Sequence, residues 1–261
     1  MTHSSGSGEA AIVVSGLVKR YGRVEAVRGV SFSVREGTTT ALLGGNGAGK
    51  TTTLSMLLGV LEPTAGDIRV LGIDMRRDRL RALPRMNFTS PYVDLPKRLT
   101  VAENLRVYAD LYGVARPVAR IAELADEFDL NAILARPYGR LSAGQRTRVS
   151  LAKAMLNGPD VLLLDEPTAS LDPDVGDRVR SWLERYQHRT GCTMLLASHN
   201  MGEVERMCDD VIMLRAGRVV DQGSPAALVA RYGRADLEQV FLDIARAGDD
   251  VPAAAGGEGR A

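Results

Sequence analysis

The run Gly44-Gly45-Asn46-Gly47-Ala48-Gly49-Lys50-Thr51 has the spacing Gly-x-x-x-x-Gly-Lys-Thr, which suits it to hold the phosphates of a nucleotide. Glycines let successive backbone N–H groups turn inward and approach phosphate oxygens without Cβ clashes, and a helix that follows aims its positive end at the same anion. Lys50 adds a mobile charge for β- and γ-phosphates, and the Thr51 hydroxyl can ligate Mg²⁺. A plain glycine-rich turn would leave Lys50 unexplained.

Two acids, Asp165 and Glu166, follow the apolar run Val161–Leu164. Carboxylates directly after a buried run are costly as core, so they point to a cation site or a general base. His199 closes a second run, Thr193 to Ala197, where an imidazole is as readily structural as functional. Its place favours function, because that run is expected to end beside the Asp165-Glu166 strand. Ser142-x-x-Gln145 matches a capping box, which presents backbone donors at a helix start, although alone it reads as an ordinary cap. Tyr21 lies among β-rich runs, where its ring either stacks on a purine or packs as a strand tyrosine.

These residues need a scaffold, and the chain supplies alternating signals for one. Residues 1–10 are Gly/Ser-rich and expected to be disordered, as is the tail from Gly248 to Ala261. Ala11 to Val34 reads as antiparallel hairpins, Thr38 to Leu58 as strand, loop and helix, and Gly66 to Asp74 as a short strand pair. Helical periodicity then takes over in a segment expected at about 87–157. Thr100 and Glu103 form a capping box before a face of Val101, Leu105, Tyr108, Leu111 and Tyr112. Val118, Ile121, Leu124, Ala125 and Phe128 mark a second amphipathic helix. Val161–Leu164 suits a strand buried on both faces, and a parallel sheet would deliver Asp165 and Glu166 at its ligand edge. Asp172 and Pro173 open another helix, with Val175, Val179, Leu183 and Tyr186 on one face and Trp182 packed in the core. A helix to about Met207, a hairpin turning at Ala216-Gly217, and a helix carrying Leu237, Val240, Phe241 and Ile244 complete the chain.

With 261 residues, 45% hydrophobic and 25% charged, the chain can bury a sizeable core. A net charge of +1 gives no whole-protein attraction to nucleic acid, and none is expected as a partner. No apolar run approaches the roughly 20 residues that span a bilayer, and the first ten residues have no secretion signal. Cys192 and Cys208 lack metal-ligand spacing and read as reduced structural thiols of a cytoplasmic protein.

Taken in order, these motifs resemble the ATP-binding subunits of ABC transporters over nearly all of residues 12–246. Gly44 to Thr52 match the phosphate loop, with Gly44, Asn46, Gly47, Ala48, Gly49, Lys50, Thr51 and Thr52 against the nucleotide. Leu141 to Gln145, reading LSAGQ, match the LSGGQ signature, the most specific of the set, with Ala143 replacing one glycine. Leu162 to Glu166 match the Walker B strand with its catalytic glutamate, Ser170 to Asp172 the loop that follows, His199 the switch histidine, and Tyr21 the adenine-stacking aromatic. The resemblance implies an α/β fold: a P-loop NTPase (RecA-like) core with an N-terminal antiparallel β subdomain and an inserted α-helical subdomain, together one domain over 11–247.

The same resemblance implies a head-to-tail dimer, as a homodimer or with a related ATP-binding subunit. Each ATP would lie between one phosphate loop and Ser142, Gly144 and Gln145 of the other copy. Thr51 and Asp165 would hold Mg²⁺, Glu166 would polarise the attacking water, His199 would orient water and γ-phosphate, and Asp172 would couple the two sites. Separate integral-membrane permease subunits would be the partners, at the cytoplasmic face of the membrane, with export favoured by analogy. The rival reading is a soluble, non-transport ABC ATPase acting on ribosomes or DNA, disfavoured because such relatives generally carry fused nucleotide domains, long coiled coils or zinc modules that are not seen in this sequence. One departure stands out: the family places a glutamine at the start of the helical insertion, yet no Gln occurs between Lys50 and Gly144. The corresponding stretch is Met86 to Pro91, with Ser90 as candidate replacement, and its loss motivates a second reading as a nucleotide-binding regulator with impaired turnover.

Overall fold

A computed structural model describes residues 9–91, 93–169 and 171–246. The chain opens with one long hairpin, β1 (Ala10–Tyr21) and β2 (Val24–Arg35), where several shorter hairpins were expected. Next come β3 (Thr39–Leu43), α1 (Lys50–Leu57), β4 (Ala65–Val70), β5 (Ile73–Asp74) and the one-turn α2 (Arg79–Ala82). They are followed by β6 (Met86–Thr89), α3 (Val101–Leu111), α4 (Pro117–Glu127), α5 (Ala143–Ala154) and β7 (Val161–Asp165). The last third holds α6 (Pro173–Thr190), β8 (Thr193–Ser198), α7 (Met201–Met207), β9 (Asp210–Arg215), β10 (Arg218–Gly223), α8 (Pro225–Tyr232) and α9 (Leu237–Arg246).

Two sheets result. An antiparallel sheet has the order β2-β1-β4-β5, and a six-stranded sheet the order β10-β9-β3-β8-β7-β6, parallel except for its edge strand β10. All residues of β3, β7 and β8 are buried, their apolar centres flanked by buried Thr39, Thr40, Asp165, Thr193 and Ser198, as central strands covered on both faces must be. Period-two alternation divides their side chains between two cores. Leu42, Leu163, Leu195 and Ile212 face α1 and the antiparallel sheet; Leu43, Leu164, Leu196 and Met213 face the helices that include α3 to α6. The Phe128 and Trp182 rings, 5.3 Å apart, sit in the second core and join α4's end to α6.

Because β3, β8 and β7 are parallel neighbours, their C-terminal ends fall on one edge. Leu43 pairs with Ser198, and Asp165 with Ala197. That register gathers the phosphate loop, His199 and the Asp165-Glu166 pair.

Several expectations shift. Residues 87–89, placed at the start of the helical segment, are strand: β6 pairs with β7 along its length, and its polar Asn87 and Thr89 are served by Asn157 and Ser150. Leu111 and Val118, expected on the inner helix faces, are 72% and 71% exposed, whereas Leu105, Leu124, Ala125 and Phe128 of those faces are buried, as is Ala109. Helix α8 was not foreseen, although Ser224 as N-cap and Pro225 behind it form a legible start. Ala10 is already strand, and the rest of the expected disordered ends, 1–8 and 248–261, lies outside the described residues.

Candidate functional site

Between β3 and α1 the chain must turn sharply while keeping its N–H groups available. Gly47 and Gly49 adopt φ of 77° and 103°. A Cβ on Gly49 would meet the Ala26 oxygen at 2.8 Å, so the hairpin β1–β2 seats directly against the loop. The loop is further tied by Ala48 N–H to Gly45 O (3.1 Å) and Gly217 N–H to Ala48 O (3.1 Å). Ala48 is therefore buried, whereas Asn46 is exposed and Thr52 half-buried. The Lys50 ammonium donates to the loop's own carbonyls, Gly44 O at 2.5 Å and Gly45 O at 3.5 Å. Helix α1 has no acidic residue in its first turn to neutralise its positive end.

Across the edge, the Thr51 hydroxyl donates to Asp165 Oδ2 at 3.4 Å. Asp165 is 2% exposed; burial and the neighbouring Glu166 charge raise its pKa, opposed by the Thr51 hydrogen bond and the Lys50 charge. A buried carboxylate and a hydroxyl are hard oxygen donors, a set suited to Mg²⁺ completed by water and phosphate oxygens.

Glu166 occupies φ 50°, a left-handed conformation that a glutamate rarely adopts, and its N–H is held by Ala197 O at 2.8 Å. That turn lifts its carboxylate to His199, with Oε2 2.7 Å from Nδ1. The Glu166 side chain is 15% exposed and the His199 side chain 67%, so the pair is anchored inside and open outside. The close approach engages Nδ1, and Nε2 is the ring nitrogen left for a ligand. Glu166 also lines a cleft of about 360 Å³ with Ser90, Ala143, Thr147, Ser150 and Leu171. Ser90, 6% exposed, follows β6 directly and lines the same cleft.

Ser142 and Gln145 form both halves of a capping box at the start of α5: Ser142 Oγ accepts from Gln145 N–H (3.3 Å), and Gln145 Oε1 from Ser142 N–H (3.0 Å). Gly144 packs on α6, where an added Cβ would lie 3.0 Å from Val175. No hydrogen bond among the described residues joins Ser142, Gly144 or Gln145 to the phosphate loop. Asp172 stands at the N-cap of α6, exposed, but its side chain makes no capping bond. Ser170 lies outside the described residues. Tyr21 ends β1, 51% exposed, with the Lys19 ammonium 5.3 Å from its ring centroid, so it is not a packed strand tyrosine.

One residue the motifs do not flag is Glu203, a buried carboxylate behind the Glu166–His199 pair. Its only sequence signal is the Asn200-x-x-Glu203 cap spacing at the start of α7.

The order of these features along the chain matches a known family: the pattern described as "ABC transporter" fits residues 27–169. The chain belongs to the ABC transporter family. Among curated relatives it is 39% identical over 248 residues to the Nod factor export ATP-binding protein I of Ralstonia nicotianae, covering 92% of this chain and 73% of that protein. It is 36% identical to the ABC transporter ATP-binding protein NatA of Bacillus subtilis over 84% of this chain and 90% of the relative. Among solved structures, an ATP-binding subunit of an ABC transporter superposes with a TM-score of 0.82 at 27% identity, over 90% of this chain and 99% of that one. This is an ATP-binding subunit of an ABC transporter, an ATPase on a P-loop NTPase core. Among the described residues no helix is long and apolar enough to cross a membrane.

Proposed function

We propose that this ATPase works as a head-to-tail dimer docked on separate integral-membrane subunits, at the cytoplasmic face of the membrane, and powers export. The supporting observation is the division of the site. Lys50, Thr51, Asp165, Glu166 and His199 meet at one sheet edge, while the capping box of Ser142 and Gln145 offers a second set of phosphate donors not bonded to that edge. In a two-fold dimer the second set would come from the other copy and give two composite sites. Export is favoured by the Nod factor export proteins among the relatives.

In this reading Lys50 exchanges Gly44 O and Gly45 O for the β- and γ-phosphates, while the loop N–H groups and the start of α1 hold the remaining oxygens. Tyr21 stacks on adenine. Mg²⁺, when bound through Thr51 and Asp165, supplies positive charge across the phosphate oxygens. Glu166 accepts the proton of the attacking water, and His199, fixed by its bond to Glu166, presents Nε2 to that water and the γ-phosphate. Asp172, exposed at the start of α6, would face the partner copy and couple the two sites.

Glu166→Gln tests the scheme. Turnover is expected to fall by about 10²- to 10⁴-fold, the usual worth of a positioned base. Light scattering with ATP and Mg²⁺ should show the variant accumulating as a dimer. A variant that stays monomeric refutes the sandwich, and one that still hydrolyses at the parent rate refutes the base.

A further inference from the structure

The carboxylate of Glu203 is 2% exposed, and among the described residues no lysine or arginine forms an ion pair with it. Its two oxygens serve two different loops. Oε1 accepts the hydroxyl of Thr168 at 2.8 Å, and Oε2 the hydroxyl of Ser198 at 2.7 Å. Thr168 stands two residues after Glu166, and Ser198 immediately precedes His199. Ser198 Oγ is in turn fixed by the Asn200 N–H at 3.1 Å. One side chain of α7 therefore joins the two segments that carry the hydrolytic carboxylate and its imidazole.

A helix-capping role does not account for it. The start of α7 is already capped by the Asn200 side chain, which accepts from the Glu203 N–H at 3.1 Å. A purely structural position this deep is served as well or better by an apolar residue, because an ionised carboxylate loses its hydration there. Burial does raise the Glu203 pKa, with the Ser198 and Thr168 hydrogen bonds and the Arg180 charge working against it and Glu166 adding to it. What a carboxylate does here that an apolar side chain cannot is accept two hydroxyl hydrogen bonds at once, one from each loop. The link matters because Glu166 sits in a left-handed turn whose direction decides where its carboxylate points, and Thr168 follows that turn directly.

We propose that Glu203 is a positioning residue for ATP hydrolysis: by holding Thr168 and Ser198 it fixes the distance and angle between Glu166 and His199. It touches neither nucleotide nor water. The inference rests on Glu166 and His199 acting as the hydrolytic pair, and its test separates the two ideas.

The experiment measures single-turnover ATP hydrolysis with Mg²⁺ on the full chain, with nucleotide affinity by titration. Glu203→Ala is expected to lower the hydrolysis rate by about 10- to 100-fold, the range that follows from misplacing a catalytic group by a fraction of an ångström to an ångström. ATP affinity should stay within about twofold, because Lys50 and its loop are untouched. Glu203→Gln keeps the shape and bonds both hydroxyls, accepting from one and donating to the other, so it should stay within about threefold of the parent. On a His199→Ala background, Glu203→Ala should cost less than about threefold more, since the group it positions is gone. A full-rate Glu203→Ala, or one whose loss multiplies unchanged into His199→Ala, overturns the proposal. Should the alanine variant fail to fold, Thr168→Val and Ser198→Ala each remove one arm; full rates in both overturn it equally. Full rates in Glu166→Gln and His199→Ala would instead refute the hydrolytic pair itself.

Discussion

Replacing Lys153 by methionine separates the cost of a buried charge from the benefit of its one hydrogen bond. Lys153 lies on α5, 8% exposed, with its ammonium 3.2 Å from Phe88 O and 5.5 Å from the Tyr108 ring centroid. It has no carboxylate partner among the described residues. Burial lowers its pKa from 10.5 to about 8. Because the folded value lies below the unfolded one, the unfolded chain holds more protons between those values, and stability rises with pH across that window. The penalty is thus present in full below pH about 8; at 1.36 kcal/mol per tenfold it amounts to about 3 kcal/mol, falling below about 1 kcal/mol by pH 10. Methionine keeps the apolar stem and removes the charge, but it gives up the bond to Phe88 O, a loss of about 1 kcal/mol. Lys153→Met should therefore be more stable by about 2 kcal/mol at pH 7 and about equal at pH 10, read as urea-unfolding free energies by circular dichroism. Every other titrating group is common to both proteins, so the difference isolates Lys153. A variant less stable than the parent at pH 7, by an amount that does not change with pH, would refute the reasoning and mark the ammonium as well solvated.

Gly49→Ala would force a φ of 103° on a residue with a Cβ and press that carbon to 2.8 Å from Ala26 O. ATP affinity by calorimetric titration should drop at least about tenfold, and an unchanged affinity would remove the steric argument for this glycine. Ser90→Ala should slow hydrolysis about tenfold with little effect on ATP affinity if Ser90 substitutes for the family's glutamine at the cleft shared with Glu166, whereas full turnover removes it from the site. Burial pushes the Cys192 thiol up to about 12 and raises that of Cys208 as well. Both should therefore resist a thiol reagent at pH 8 in the folded protein and react in denaturant, and rapid labelling of the native chain would contradict their burial.

What could be read from the sequence was what is local along the chain. The capping boxes Thr100/Glu103 and Ser142/Gln145 each close between residues three apart, and both form with each of their bonds. The phosphate loop and the strand ending in Asp165 are likewise contiguous, and their all-buried apolar runs leave little choice of layer. Legibility failed where the answer depends on neighbours distant in sequence. Strand β6 has only four residues, two of them polar, and exists because β7 offers an edge and Ser150 and Asn157 answer its side chains. Leu111 and Val118 fit their helical faces by periodicity yet are exposed, Leu111 at the last residue of α3 and Val118 in the first turn of α4, while Leu105 and Leu124 on the same faces are buried. Glu203 is the clearest case: its bond to Thr168 spans 35 residues, and nothing in the local pattern distinguishes it from a solvated helix glutamate.

The site's polar groups share one property that bears on its chemistry. Lys50 is bonded to Gly44 O, Ser142 to Gln145, and Glu166 lies against His199, so these groups have partners inside this chain, whereas the Asp172 side chain makes no capping bond. In the proposed scheme a bound triphosphate takes the Lys50 ammonium from its neutral carbonyls, because a charge-assisted bond to phosphate is the stronger one. The exchange is selective in a useful way. In that scheme Lys50 and the loop donors meet the phosphates, while Glu166 is tied to β8 by its N–H on Ala197 O and Ser198, next to His199, is tied to α7 through Glu203. On the proposed roles, binding and hydrolysis would rest on separate supports: the loop held by the hairpin at Ala26, the pair held by β8 and α7. A change on one support should alter affinity without altering the rate, and on the other the rate without the affinity, which is the division a motor needs if nucleotide binding and nucleotide hydrolysis are to drive different movements.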